Sequence, residues 1–289
     1  MKSRVTLLNM VSGLVLQFFI TISGFILPRL ILDNFGSDAN GLISSLTQFL
    51  SYITLVEGGI TGVITASLYK PLVEGNNSQI SSVVLASRRF FSKIGLLFAL
   101  YTVGVAVVYP LVFQTGFSFT YVFTLTLILS MTLEIQYMFS LTLKTLLQAD
   151  KKMYISSLSS TVVVILTILL VYLSVYIYPS VHVMKFISGI LYLLPPIVFS
   201  RYVKKHYAID WNAKPDDNLI ANRWNGFAIN FAFFIHSSTD ISVLTIFTDL
   251  LQVSVYSVHY LVSNGLKQIV SAGLTGIAAT VGQAYAKGD

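Results

Sequence analysis

The feature of this sequence that most constrains its fold is a series of eight apolar stretches of membrane-spanning length. A transmembrane helix needs about 20 mostly apolar residues. The stretches cover approximately 7–27, 41–68, 94–113, 119–143, 155–178, 181–200, 224–247 and 253–281. Only 10% of the residues are charged, too few to cover a soluble protein of this size. We therefore expect an all-α, polytopic membrane helix bundle with about eight transmembrane helices.

This composition excludes several classes of protein. An ordinary soluble enzyme, a disordered protein and a nucleic-acid-binding domain do not fit, because the basic residues lie between apolar blocks and form no continuous stripe. The chain has no cysteine, which excludes disulfides, iron–sulfur clusters and thiolate zinc sites. It contains no nucleophile elbow, phosphate-binding glycine loop or zinc-protease motif. We expect neither enzymatic activity nor a metal site.

The longest polar segment, 201–223, separates the first six spans from the last two. It is charged and contains Pro215, as expected of a link between two helical bundles. We predict an N-terminal lobe of six spans in 1–200, a cytoplasmic linker in 201–223, and the start of an incomplete second lobe in 224–289.

The positive charges predict the orientation. Of the 18 Lys and Arg residues, fifteen fall in the termini and loops on one side. Only Arg29 and Lys185 fall on the other side, where we expect Lys185 to lie at the interface. Positive loops face the cytoplasm, so both termini are predicted to be cytoplasmic. Within the spans, Pro28-Arg29 should end the first helix and Pro195-Pro196 should break the sixth. Gly58-Gly59 should allow either a close approach of the backbone or a break in the second.

Ionisable side chains at membrane depth cost roughly 2.5–3.5 kcal/mol each on insertion scales, so each needs a partner or water. Glu57, Glu134 and the i, i+4 pair His236–Asp240 are either structural partners between helices or ligands for a coupling ion. Arg29 is either an interfacial cation or part of a cavity wall, with Asp33 in reach if the helix continues.

Lys267 is the remaining cation at membrane depth. It could pair with Asp240 or Asp249, or face an anionic substrate.

Three stretches carry a resemblance to a known family. They are Gly24-Phe25-Ile26-Leu27-Pro28-Arg29-Leu30 continuing to Asn40-Gly41-Leu42, then Gln48-Phe49-Leu50 with Glu57-Gly58-Gly59-Ile60, and Ser238-Thr239-Asp240-Ile241 with Val253-Ser254-Val255-Tyr256. In their order and spacing the chain resembles the Wzx-type polysaccharide transporters, which are O-antigen and capsule repeat-unit flippases of the multidrug/oligosaccharidyl-lipid/polysaccharide exporter superfamily. It is also similar to the lipid II flippase branch, although Asn40 stands where that branch has an acid.

The resemblance implies a fold, a substrate and a location. The fold would be the six-helix N-terminal lobe of the superfamily plus the first two helices of a second lobe. The protein would flip undecaprenyl-diphosphate-linked oligosaccharides across the bacterial cytoplasmic membrane, with membrane lipids and glycan polymerase or assembly proteins as partners and no nucleic acid. Arg29 and Lys267 would hold the diphosphate, and Gln48, Gln136 and Asn230 the sugar hydroxyls. Glu57, Glu134, His236 and Asp240 are the candidate ligands for Na⁺ or H⁺, with no other cofactor.

The length of the chain adds one expectation. Twelve to fourteen spans would need about 430–500 residues at this spacing. We therefore expect a fragment of a longer transporter, rather than a frameshifted gene or a chain that pairs with another, and we expect it to be inactive alone.

Three functions are alternatives to a flippase. They are a cation-coupled drug or metabolite exporter of the same superfamily, a membrane-bound polysaccharide polymerase, which the short external loops disfavour, and a scaffold in a glycan-assembly complex.

Overall fold

The computed structural model describes residues 2–57, 59–216, 232, 234–235, 239–265 and 267. Throughout this part of the chain the regular structure is helical, without a strand. The helices are α1 (Lys2–Ser51), α2 (Thr54–Glu57), α3 (Ile60–Glu74), α4 (Asn77–Val112), α5 (Phe119–Ile135), a π-helical segment (Gln136–Ser140), α6 (Leu141–Ala149), α7 (Met153–Ile177), α8 (Val181–Leu191), α9 (Leu194–His206), α10 (Asp240–Phe247) and α11 (250–265).

The predicted class, an all-α polytopic membrane bundle, is confirmed. Among the described residues, five helical segments are long and apolar enough to cross a membrane: Arg4–Glu57, Asn77–Val112, Phe119–Ala149, Met153–Ile177 and Val181–His206. The count of eight spans stays a prediction, because half of the seventh stretch and the end of the eighth lie outside the described residues. The predicted division into lobes and linker also stays a prediction, although α9 extends the sixth span to His206.

The longest helix, α1, contains a sharp break. Gly36 has φ 82° and ψ 174°, a conformation that glycine adopts readily because it has no Cβ. It divides α1 into a first arm (2–35) and a second arm (37–51). The prediction that Pro28-Arg29 ends the first helix is wrong, because the helix continues through Pro28. Membrane helices tolerate an internal proline when neighbouring groups satisfy the freed backbone.

Two hydrophobic clusters fix the direction of these arms. At the basic end of the bundle, defined by Lys151, Lys152, Lys204 and Lys205, buried residues include Leu50, Ile64, Phe91, Leu147 and Phe199. The cluster at the opposite end includes Ile31, Leu42, Tyr109, Val122 and Val175.

The first arm starts at the basic end. There the Asn9 side chain donates to the Lys151 carbonyl and accepts from the Tyr154 N–H, both at 2.8 Å. Ile31 and Leu42, on either side of Gly36, both lie in the opposite cluster, whereas Leu50 lies back in the basic-end cluster. The two arms are therefore antiparallel and reverse direction at Gly36.

The other predicted interruptions are confirmed. Gly59, in the left-handed region with φ 80°, precedes α3. A turn at Tyr192 and Leu193 separates α8 from α9, whose first turn contains both prolines. Proline suits this position because its missing N–H would have no partner in a first turn.

A polar cluster closes the basic end, outside the membrane-spanning segments. Asp150 accepts hydrogen bonds from Lys152 Nζ at 2.7 Å and from the Tyr207 hydroxyl at 2.5 Å. Burial and the bond to Asp150 raise the pKa of Tyr207. Burial lowers the pKa of Lys152, but the hydrogen bond and charge of Asp150 outweigh this effect, so the pKa is raised. The cluster joins the α6–α7 turn to the end of α9.

Candidate functional site

A cavity of about 310 Å³ lies between both arms of α1 and helices α8 and α10. We call it the central cavity. Its lining consists of Leu27, Pro28, Ile31, Asn40, Ile43, Ser44, Thr47, Gln48, Ser51, Lys185 and Ile241. The second arm contributes six of the eleven described lining residues, and its polar ones recur at helical spacing.

That polar stripe consists of Asn40, Ser44, Thr47, Gln48 and Ser51. Residues spaced by three or four positions lie above one another on a helix face. The periodic signal was present in the sequence, but of these five residues only Gln48 was predicted as a substrate ligand. The stripe gives the wall hydroxyl and amide groups, which both donate and accept hydrogen bonds.

Hydrogen bonds attach the second arm to α10 and α11. The buried Asn40 donates to Ser254 Oγ at 2.9 Å and to Ser257 Oγ at 3.3 Å. The hydroxyls of Ser45 and Thr245 are 2.8 Å apart. Asn40 is therefore bonded to serine hydroxyls. Its amide is uncharged and cannot form the ion pair that an acid at this position could form.

Gly41 allows these helices to come close. An added Cβ at Gly41 would lie 1.9 Å from the Leu250 carbonyl oxygen. The close approach and the Asn40 hydrogen bonds hold the cavity wall in register with the start of α11.

Lys185 on α8 is the cation in the described lining of this cavity, where it is half-buried. It was not among the predicted substrate ligands, and its expected position at the membrane interface stays a prediction. Within the described part of the chain it forms no salt bridge or hydrogen bond. Lys185 belongs to a helical segment that is long and apolar enough to cross a membrane. In such a segment a lysine without an acidic partner needs water or an anion, and the cavity has room for either.

Of the predicted substrate ligands, Gln48 is placed in the central cavity. Arg29 lies outside its lining, 82% exposed, with Nε 3.5 Å from Asp33 Oδ2. This i, i+4 pair forms because the helix continues past Pro28. Gln136 opens the π-helical segment and is half-buried. Asn230 lies outside the described residues.

Lys267 is exposed, and neither of its expected partners forms a salt bridge with it. Asp240 accepts a hydrogen bond from the Tyr256 hydroxyl. Asp249 accepts one from the Gln252 N–H at 2.9 Å. The role of Lys267 in binding substrate stays a prediction.

Among the described coupling-ion candidates Glu57, Glu134 and Asp240, no hydrogen bond joins one to another. Glu57 is half-buried and accepts hydrogen bonds from Thr61 Oγ1 at 2.5 Å and from the Tyr137 hydroxyl at 3.4 Å. Glu134 is half-buried, without a hydrogen bond or ion pair to another described residue. His236 lies outside the described residues, so its pairing with Asp240 stays a prediction.

The comparisons with known proteins identify no relative. No family model, curated protein or solved structure matches the chain. In the described residues no group of three His, Cys, Asp or Glu side chains could hold a metal ion. What the site can do chemically therefore follows from its own residues: its described lining offers one amine and several uncharged hydrogen-bonding groups.

Proposed function

We propose that this protein is a transporter that flips undecaprenyl-diphosphate-linked oligosaccharide repeat units across the bacterial cytoplasmic membrane, for capsule, O-antigen or other cell-surface polysaccharide. The observation that carries the proposal is the central cavity, which combines a lysine that forms no ion pair with the described residues and a stripe of hydroxyl and amide groups. The resemblance of the sequence to polysaccharide flippases supplies the substrate class.

The chemistry of such a substrate fits the cavity. A sugar headgroup with a diphosphate cannot cross about 30 Å of hydrocarbon unless polar groups replace its water. Lys185 can bind a phosphate oxygen through a charge-assisted hydrogen bond. Ser44, Thr47 and Gln48 can exchange hydrogen bonds with sugar hydroxyls. The cavity would hold the phosphate and adjoining sugar, while the polyprenyl chain stays in the lipid.

Alternating access would follow from the position of the cavity. It lies where α10, which follows the predicted linker, meets α1 and α8 of the predicted first lobe. Transporters of related design open a midplane site to each side in turn by moving one half against the other. In this proposal Glu57 takes up Na⁺ or H⁺, because the described groups that bind its carboxylate are the hydroxyls of Thr61 and Tyr137.

A drug or metabolite exporter is the second candidate. It is the weaker one for cationic cargo, because the charged residue in the described cavity wall is a lysine, which repels cations.

The test is the sidedness of lipid-linked glycan in cells with and without the full gene. We expect deletion to trap the repeat units on the cytoplasmic face, and the intact gene to restore them to the outer face. Lys185→Ala should fail to restore them. Lys70→Ala is the matched control, because it removes the same charge from an exposed residue of α3. Unchanged sidedness together with lost efflux of small molecules would reject the flippase and favour the exporter.

A further inference from the structure

A second cavity, of about 710 Å³, opens at the basic end of the bundle. We call it the basic-end cavity. It lies between α4, the π-helical segment, α6 and α9, and shares no described lining residue with the central cavity. None of its described lining residues was predicted as a site residue, and none takes part in the proposed function.

One part of this cavity is strongly cationic. Arg88, Arg201 and Lys204 line it, and its described lining includes no acidic side chain. Arg201 and Lys204 are three residues apart on α9 and therefore share a face. The Arg88 guanidinium carbon lies 5.5 Å from the centre of the Trp211 ring, which holds this side chain beside the cavity. Three cations around one cavity favour an anionic ligand with several oxygen atoms.

The other part of the wall is apolar. Phe139 of the π-helical segment is 59% exposed, and Ile197 of α9 is 44% exposed. Met138, Leu143 and Leu193 extend the same surface. A free phosphate ion would use the cations and leave this surface empty. A phospholipid would use both parts, because its phosphate and its acyl chain are joined at the headgroup.

We propose that the basic-end cavity binds an anionic phospholipid, with the headgroup phosphate on Arg88, Arg201 and Lys204 and an acyl chain along Phe139 and Ile197. Basic pockets between transmembrane helices on the cytoplasmic side suit such headgroups, and the charge distribution predicts that this end is cytoplasmic. Bound lipid connects α9 to the π-helical segment. The proposed lipid site does not involve the glycan substrate, so this proposal can be tested separately from the proposed function.

The experiment is native mass spectrometry of the purified chain with phosphatidylglycerol or phosphatidylcholine. We expect tighter binding of phosphatidylglycerol, with each removed lining charge weakening it about fivefold. Lys204→Ala should show this loss. Lys205→Ala is the matched control, because Lys205 is the next lysine of α9 and lies outside the cavity lining. It should change the affinity less than twofold.

Several results would overturn the proposal. Equal losses in Lys204→Ala and Lys205→Ala would indicate a diffuse surface charge. Equal binding of the two lipids would remove the anionic selectivity. Displacement of phosphatidylglycerol by millimolar inorganic phosphate would show that the cavity takes a free phosphate. Lys204→Gln, which removes the charge but keeps an unbranched polar side chain of similar helix propensity, replaces Lys204→Ala if the alanine variant does not fold.

Discussion

Substituting Gly41 by alanine tests the packing that forms the wall of the central cavity. The added Cβ would lie 1.9 Å from the Leu250 carbonyl oxygen and 2.8 Å from its carbonyl carbon. Both atoms belong to the backbone, so no side-chain rotation relieves the clash. Because such contacts are essentially never closer than 3.0 Å, the Cβ and the oxygen must separate by at least a further 1.1 Å (3.0 minus 1.9).

The cost of Gly41→Ala follows from this displacement. Overpacking a well-packed interface costs typically about 1–3 kcal/mol. The same movement lengthens the hydrogen bonds from Asn40 to Ser254 and Ser257, each worth about 0.6 kcal/mol in a membrane protein. We expect a total loss of about 2–4 kcal/mol, which corresponds to about 4–8 °C in melting temperature for a chain of this size.

The assay is thermal unfolding of the detergent-solubilised protein, with Gly104→Ala as the matched control. Gly104 lies inside α4, and an added Cβ there meets no atom within 4 Å. Alanine should stabilise that position by up to about 1 kcal/mol through helix propensity. If Gly41→Ala melts at the same temperature as Gly104→Ala, the close approach of α1 and α11 described here is wrong.

Three further predictions concern single side chains. Lys185→Ala should lower the rate of flipping at least about tenfold, whereas Lys185→Arg keeps the charge and should retain most of the activity. A glycan-sidedness assay compares the two variants, and equal flipping rates for them would contradict the binding of phosphate by Lys185. Glu57→Gln should fold normally, because its amide oxygen can still accept a hydrogen bond from Thr61, but its transport rate should no longer respond to Na⁺ or pH. A retained response would exclude Glu57 as the ion ligand. Tyr207→Phe removes the hydrogen bond to Asp150 and should lower the free energy of unfolding by about 1–2 kcal/mol, compared with Tyr69→Phe at an exposed tyrosine. Equal melting temperatures of the two variants would show that the hydrogen bond does not stabilise the fold.

The fold class and several breaks were predictable from the sequence because they depend on local chemistry. Long apolar runs specify membrane helices. The interruption at Gly59 follows from its freedom to adopt positive φ, and the start of α9 follows from its prolines. The end of the first helix was not predictable in this way. Pro28 is a helix breaker in water, but the chain reverses only at Gly36.

The candidate site was predictable only in part, because pairing between helices depends on tertiary contacts. Lys185 is near a span end in sequence, so it resembles an interfacial residue until the arms of α1 pack against α8. The neighbours of Glu57 include Tyr137, which is 80 positions away along the chain. In contrast, the Arg29–Asp33 pair required only helical spacing and was anticipated.

The most direct test of the central claim is the accessibility of the cavity to water in the membrane. The chain has no cysteine, so Ser44→Cys provides a single, nearly isosteric label on the cavity wall. Leu100→Cys is the control, because Leu100 is 74% exposed on the outer surface of α4 and should face lipid. A membrane-impermeant maleimide should label Ser44→Cys, more slowly when a diphosphate-linked glycolipid is present, and should leave Leu100→Cys unlabelled. If Ser44→Cys is as unreactive as Leu100→Cys, the central cavity is closed to water and cannot be the path of a polar substrate.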